Sequence, residues 1–160
     1  MAFQFTKENL ERINQELKKY PVKKPGVMAA LYIGQEQNGY ISNEVIEEVA
    51  RVLELTNEEV FGVVSFYTMY HQKPMGKHHI QVCTNVSCML RGGYEIWERV
   101  KEKLGIDNLE VTEDSNFSLE EVECMGSCGT APMIAVNEDY YENLNTEKVE
   151  SILESLRNGS

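Results

Sequence analysis

Four cysteines are the residues of this sequence whose type and spacing could do chemistry. They form two close pairs, Cys83 with Cys88 at a C-x4-C spacing and Cys124 with Cys128 at a C-x3-C spacing. Four thiolates that converge on one site can complete a tetrahedral zinc site or hold two irons bridged by two sulfides. In a secreted protein, the same four residues would instead predict two disulfides, with three possible pairings.

Length, charge and hydropathy restrict the kind of protein that carries these thiols. The chain has 160 residues, with 26 acidic and 15 basic side chains and a formal net charge of -11. Such an acidic protein repels phosphate backbones and anionic lipid, which disfavours binding to nucleic acid or to a membrane surface. The first ten residues lack the apolar segment of a signal peptide, and the uncharged stretch 60–70 is far shorter than a membrane helix. We therefore expect a cytoplasmic chain, where metal or iron–sulfur binding is favoured over disulfides.

Residues 1–72 are predicted to form a small bundle of about four helices. Apolar residues recur at helical spacing in three segments, and Thr56 opens a fourth with a capping box that is followed by an apolar run. The three segments are residues 10–20, 27–35 and 41–53, and the third is expected to be capped by Ser42 or Asn43. The aromatic run at residues 66–70 is expected to belong mostly to the core of this bundle.

Residues 73–160 are predicted to form a compact α/β domain, which makes the whole chain α+β. A linker that includes the His78–His79 pair is expected to lead into a strand that ends at Cys83, and a helix then begins near Gly93. A second strand leads into Cys124, and residues 133–136 form the next strand. If the strands that carry the cysteines are neighbours, the four thiols meet at one edge of the sheet. The glycines that follow Cys124 and Cys128 would give this loop unusual backbone angles and bring N–H groups close to sulfur.

A family resemblance rests on these cysteines and on motifs in the helical half. The C-x4-C pair, followed by CMGSCGTAP at 124–132, resembles the thioredoxin-like [2Fe-2S] ferredoxins. Nearly the whole chain is similar to the E subunits of bacterial NADH:quinone oxidoreductase, respiratory complex I. NGYIS at 38–42 and VVSFYTMY at 63–70 are similar to stretches of that family. The resemblance implies a thioredoxin-like second domain with a small mixed sheet and one [2Fe-2S] cluster. Its implied ligands are Cys83, Cys88, Cys124 and Cys128.

The resemblance also implies partners and a location. The chain would exchange single electrons with the FMN of a flavin- and NADH-binding F-type subunit, as one of several subunits of the peripheral arm of an oxidoreductase. It would have no NADH or quinone site of its own, and the sequence contains no P-loop or Rossmann glycine pattern. It would lie at the cytoplasmic face of the inner membrane without inserting into it. Equivalent small subunits of NAD-reducing hydrogenases or formate dehydrogenases are alternatives.

Two further alternatives concern the metal and the assembly. A zinc-stabilised interaction module would carry the same four thiols but no electrons, and it would be colourless where an iron–sulfur protein is red-brown. A free-standing ferredoxin is less consistent with the helical half, because an electron carrier alone has no need of one. If a cluster is bound, the acidic residues before Cys124 predict a low reduction potential, of about −400 mV.

Overall fold

The computed structural model describes residues 2–159 and divides the chain into two compact units, Met1–Pro74 and Met75–Ser160. The first unit is helical. The second contains a five-stranded sheet together with helices. The predicted α+β class, a helical bundle followed by an α/β domain with a small mixed sheet, is confirmed.

Four α-helices form the first unit. They are α1 (Lys7–Leu17), α2 (Val27–Asn38), α3 (Asn43–Leu53) and α4 (Asn57–Phe66). Thr6, Ser42 and Thr56 cap α1, α3 and α4, because each side-chain oxygen accepts a hydrogen bond from a backbone N–H of the first turn. Thr56 forms the predicted capping box with Glu59. The core of the unit is built from apolar residues of all four helices, among them Ile13, Leu31, Val45, Val49, Leu53, Val60 and Val64.

The sheet of the second unit is mixed. Its strands are β1 (His78–Cys83), β2 (Glu110–Val111), β3 (Phe117–Val122), β4 (Ile134–Val136) and β5 (Asp139–Tyr141), in the spatial order β2-β3-β1-β4-β5. The central strand β1 runs parallel to β3, with Cys83 opposite Val122, and antiparallel to β4. The ends of β1 and β3 and the start of β4 therefore lie at the same edge of the sheet. The prediction that the thiols meet depended on whether the strands that lead into them are neighbours. The structure shows that β1 and β3 are neighbours.

Three α-helices complete the described part of this unit: α5 (Val86–Met89), α6 (Gly93–Leu104) and α7 (Thr146–Asn158), and a short 3-10 helix lies at Cys128–Thr130. Apolar side chains of α6 and α7, including Trp97 and Val149, form one core with Ile80, Val82 and Leu119 of the central strands. Strand β2 was not predicted, because two residues are too short to show an alternating pattern. Among residues 2–159, no helix is long and apolar enough to cross a membrane.

Two expectations from the sequence are wrong. Most of the aromatic run does not lie in the bundle core: Phe66 is 76% exposed and Tyr67 is 38% exposed, and only Tyr70 is buried. His79 does not lie in a solvated linker either. It belongs to β1 and is buried, with Nδ1 2.9 Å from Ser118 Oγ. An apolar or polar pattern shows what a residue could contact, but the burial of a short segment depends on distant residues.

Candidate metal centre

The first cysteine pair lies in regular, buried structure. Cys83 is the last residue of β1 and Cys88 lies in α5, with exposures of 3% and 2%. The two thiols are hydrogen-bonded to each other, and both pack against Met133 and Ala131, which precede β4. Burial and the neighbouring Cys83 raise the pKa of Cys88 to about 11. A strand end and a helical turn therefore fix this pair within apolar surroundings.

Gly93 allows α6 to begin directly against this pair. A Cβ atom at this position would lie 2.8 Å from the Cys88 carbonyl carbon, 2.9 Å from the Cys88 oxygen and 3.1 Å from the Cys83 oxygen. Contacts this short to backbone atoms leave room only for hydrogen. The sequence marks Gly93 as the start of a helix, but it does not reveal this close packing.

The second cysteine pair lies in an exposed loop between β3 and β4. The Sγ atoms of Cys124 and Cys128 are 3.3 Å apart. Gly126 has a φ of 84°, and its N–H donates to Cys124 Sγ over 3.4 Å, which lowers the pKa of that thiol. The expectation of an unusual backbone angle and an N–H group close to sulfur is confirmed at Gly126. No atom lies within 4 Å of a Cβ built at Gly129, and its φ is not in the left-handed region.

The two pairs come together at the edge of the sheet. Cys128 interacts electrostatically with Cys83 and Cys88, and the Ser87 side chain is hydrogen-bonded to Cys128. The hydrogen bond with Cys124 raises the pKa of Cys128. Within residues 2–159, no three or more His, Cys, Asp or Glu side chains are arranged to hold a single metal ion.

The arrangement of the thiols fits a binuclear cluster. Such a cluster takes four cysteine thiolates, two on each iron. The structure presents the thiols as two pairs, each from one segment of the chain. Their hydrogen bonds from Gly126 and Ser87 are of the kind that stabilises charge on sulfur.

Two charged side chains outside the cysteine set contact the second loop. Glu142, just after β5, accepts hydrogen bonds from Ser127 and Thr130. Arg91, just after α5, places Nη1 3.4 Å from the carbonyl oxygen of Ala131. Neither residue was predicted, because a lone surface charge far along the chain carries no motif that would identify its contacts.

A mixed sheet with two thiol pairs at one edge is typical of small α/β proteins that bind a metal or an iron–sulfur cluster. The family model described as "Thioredoxin-like [2Fe-2S] ferredoxin" matches residues 13–157. The chain belongs to that family, and within it to the E subunits of NADH-quinone oxidoreductase, as its similarity to the following relatives shows.

The similarity to the relatives extends over nearly the whole chain. The NADH-quinone oxidoreductase E subunit of Rickettsia bellii (strain RML369-C) is 46% identical over 159 residues, which cover 98% of this chain and 95% of the relative. The corresponding E subunit of Rickettsia prowazekii (strain Madrid E) is 42% identical, and the match covers 98% of this chain and 90% of the relative. A solved NAD+-reducing [NiFe]-hydrogenase chain in the H2-reduced state matches with a TM-score of 0.73 at 20% identity. That match covers 83% of this chain but only 22% of the hydrogenase chain, and it shows the fold alone.

Proposed function

We propose that this chain is the electron-transfer subunit of an NADH-quinone oxidoreductase, and that Cys83, Cys88, Cys124 and Cys128 hold its [2Fe-2S] cluster. The observation that carries the proposal is the meeting of two thiol pairs at one edge of the sheet. When bound, such a cluster accepts and releases one electron at a time. The match to the E subunits over nearly the whole chain supports the same function.

The chain's own residues give the site two different sides. Cys83 and Cys88 are buried among apolar side chains, which would exclude water from one side of the cluster. Cys124 and Cys128 are exposed, so the other side faces outward, where an electron can arrive from or leave for another subunit. Hydrogen bonds from Gly126 and Ser87 would stabilise the negative charge that sulfur gains on reduction.

The chain is one of several subunits of an oxidoreductase complex, as the names of its relatives indicate. More specifically, we infer that it docks on the F-type subunit that binds NADH and FMN, at the cytoplasmic face of the inner membrane. Residues 1–72 and 73–160 are its two proposed domains. The bundle would then serve to anchor the cluster domain within the complex, which accounts for its presence beside an electron carrier.

The first experiment is an absorption spectrum of the anaerobically purified protein, with iron, sulfide and zinc assays on the same sample. We expect absorption between about 400 and 550 nm and about two irons and two sulfides per chain. Replacement of any one of the four cysteines should remove most of that absorption. A colourless protein with one zinc per chain, which does not take up iron and sulfide on reconstitution, would contradict electron transfer and support the structural zinc module.

The NAD-reducing hydrogenase is the second candidate for the parent complex, because a chain of that enzyme shares the fold. The sequence favours the quinone-reducing enzyme, with 46% identity against 20%. Purification through an affinity tag on this chain from its own cells, followed by mass spectrometry, distinguishes the two parents. We expect the other subunits of an NADH-quinone oxidoreductase, whereas recovery of hydrogenase subunits would reassign the chain.

A further inference from the structure

Glu142 makes a set of contacts that the ligand residues do not explain. Its Oε1 accepts a hydrogen bond from Thr130 Oγ1 over 2.6 Å and another from the Ser127 hydroxyl. The two hydroxyl oxygens lie 2.7 Å from each other. Ser127 directly precedes Cys128 and Thr130 follows it by two residues. One carboxylate oxygen thus holds both sides of the turn that presents the Cys128 thiol.

The backbone next to Glu142 is tied to the same loop. The N–H of Asn143 donates to the Thr130 carbonyl oxygen over 2.7 Å, and the N–H of Leu144 donates to the Pro132 oxygen over 3.1 Å. Leu144 is buried in the hydrophobic core of this unit. The connection between β5 and α7 therefore links the core of the domain to the second cysteine loop.

An exposed loop requires such a link. Cys124, Cys128 and Gly129 are exposed, so apolar burial contributes little to their position. Hydrogen bonds to an ionised carboxylate are shorter and roughly twice as strong as those between neutral groups. Glu142 can therefore supply the stabilisation that the first cysteine pair obtains from the strand and the helix.

We propose that Glu142 is a positioning residue that holds the second ligand loop closed and so slows the loss of the cluster. It acts through the hydroxyl groups of Ser127 and Thr130. The proposal rests on the proposed function, since it concerns the cluster that the four cysteines would hold. It goes beyond that function in assigning retention of the cluster to a residue outside the ligand set.

The test compares three variants of the full chain that carry a reconstituted cluster: Glu142→Ala, Glu142→Gln and, as control, Glu154→Ala. Glu154 is an exposed carboxylate on α7. The measurement is the rate at which visible absorption disappears when an iron chelator is added. We expect loss on the order of tenfold faster in Glu142→Ala, because the hydrogen bonds to a charged group are gone. The control should match the wild type. Glu142→Gln keeps an oxygen that can accept both hydroxyl bonds but loses the charge, so its rate should lie between those of Glu142→Ala and the wild type.

A double-mutant cycle with Thr130→Val tests the route of the effect. If Glu142 acts through Thr130, the double variant should lose its cluster more slowly than the product of the two single effects predicts. Equal rates in Glu142→Ala and the wild type would overturn the proposal, as would effects that simply multiply. Failure of the proposed function looks different, because the wild type itself would then contain no iron and sulfide.

Discussion

The two segments that bring cysteines to the edge of the sheet are held in opposite ways. Residues 83–93 consist of a strand end, a helical turn and the start of α6, and both of their thiols are buried. Residues 124–132 form a loop whose two thiols are exposed, and Ser127 and Thr130, on either side of Cys128, donate hydrogen bonds to Glu142. The first segment is fixed by packing. In the second, Ala131 and Met125 pack against the buried thiols, but the exposed part around Cys128 is held by polar contacts.

This difference matches what an electron-transfer site needs. A packed, apolar side excludes water and keeps its ligands in place. A side that faces outward cannot be packed in the same way, because the core would then cover the point of electron exchange. The molecule can therefore use regular structure for one cysteine pair, while the other requires a loop that is stabilised by side-chain oxygens and by a glycine in a left-handed conformation.

Replacement of one cysteine in each segment should produce the largest difference between the two segments. Cys88→Ser and Cys124→Ser should both remove most of the bound iron, since a thiolate is lost in each case. Only Cys88→Ser should also destabilise the iron-free protein, by about 1–3 kcal/mol, because it places a hydroxyl among buried apolar groups. Urea unfolding of the iron-free variants measures this. Equal losses of unfolding free energy in both variants would contradict a packed first segment and an open second one.

Replacing one glycine in each segment should give a smaller difference between the segments. This difference is easier to interpret, because no proposed cluster ligand is changed. Gly93→Ala puts a methyl group 2.8 Å from the Cys88 backbone and should lower the free energy of unfolding by about 1–3 kcal/mol. Gly129→Ala meets no atom within 4 Å and should change it by less than about 0.5 kcal/mol. Thermal or urea unfolding of both variants provides the comparison. A Gly129→Ala variant that is as unstable as Gly93→Ala would show that the second loop is packed after all.

The sequence was sufficient for the parts of the site that depend on local pattern. The strand that ends at Cys83, the helix after Gly93 and the special conformation of Gly126 follow from residue types and spacing, and the structure confirms them. The hydrogen bonds from Ser127 and Thr130 to Glu142 could not be predicted, because they join residues 12 and 15 positions apart that individually resemble surface residues.

The exposed aromatic residues show a second limit. Phe66 and Tyr67 were expected in the bundle core, because large aromatic side chains are more often buried than exposed. That tendency does not say whether other residues of the chain cover a particular side chain, and the structure leaves Phe66 largely exposed. In this bundle, Tyr70 is buried, and its hydroxyl donates to the carbonyl oxygen of Met28, a contact between residues 42 positions apart.

In the iron-free protein, the thiols of the two segments should differ in their rates of reaction. The thiolate is the reactive form, and the pKa of Cys124 is lowered whereas burial raises that of Cys88 to about 11. At about pH 8, Cys124 should therefore react with iodoacetamide at least about tenfold faster than Cys88. The Cys88 rate should keep rising with pH up to about 11, after the Cys124 rate has levelled off. Mass spectrometry of peptides at several pH values measures both rates, and equal rates at about pH 8 would contradict the difference in burial and pKa.

The smallest effect is expected where the two segments touch each other. Arg91 of the first segment places Nη1 3.4 Å from the Ala131 oxygen and 3.5 Å from the Gly129 oxygen of the second. It is the only basic residue in the sequence stretches 83–93 and 123–132, so its charge should favour addition of an electron to an anionic cluster. Arg91→Gln should make reduction about threefold less favourable, which lowers the potential by about 30 mV. The effect is small because water and salt screen an exposed charge.

A redox titration followed by visible absorption measures this potential in the reconstituted protein. Arg91→Lys keeps the charge and should stay closer to the wild-type value than Arg91→Gln does. Arg99→Gln is the matched control, because Arg99 pairs with Glu102 and Glu150 on the helices instead of the cysteine loops. An equal decrease in Arg99→Gln would mean that net charge alone sets the potential. A decrease confined to Arg91→Gln would show that the packed segment also influences the cluster electrostatically, through the guanidinium group that it extends over the exposed loop.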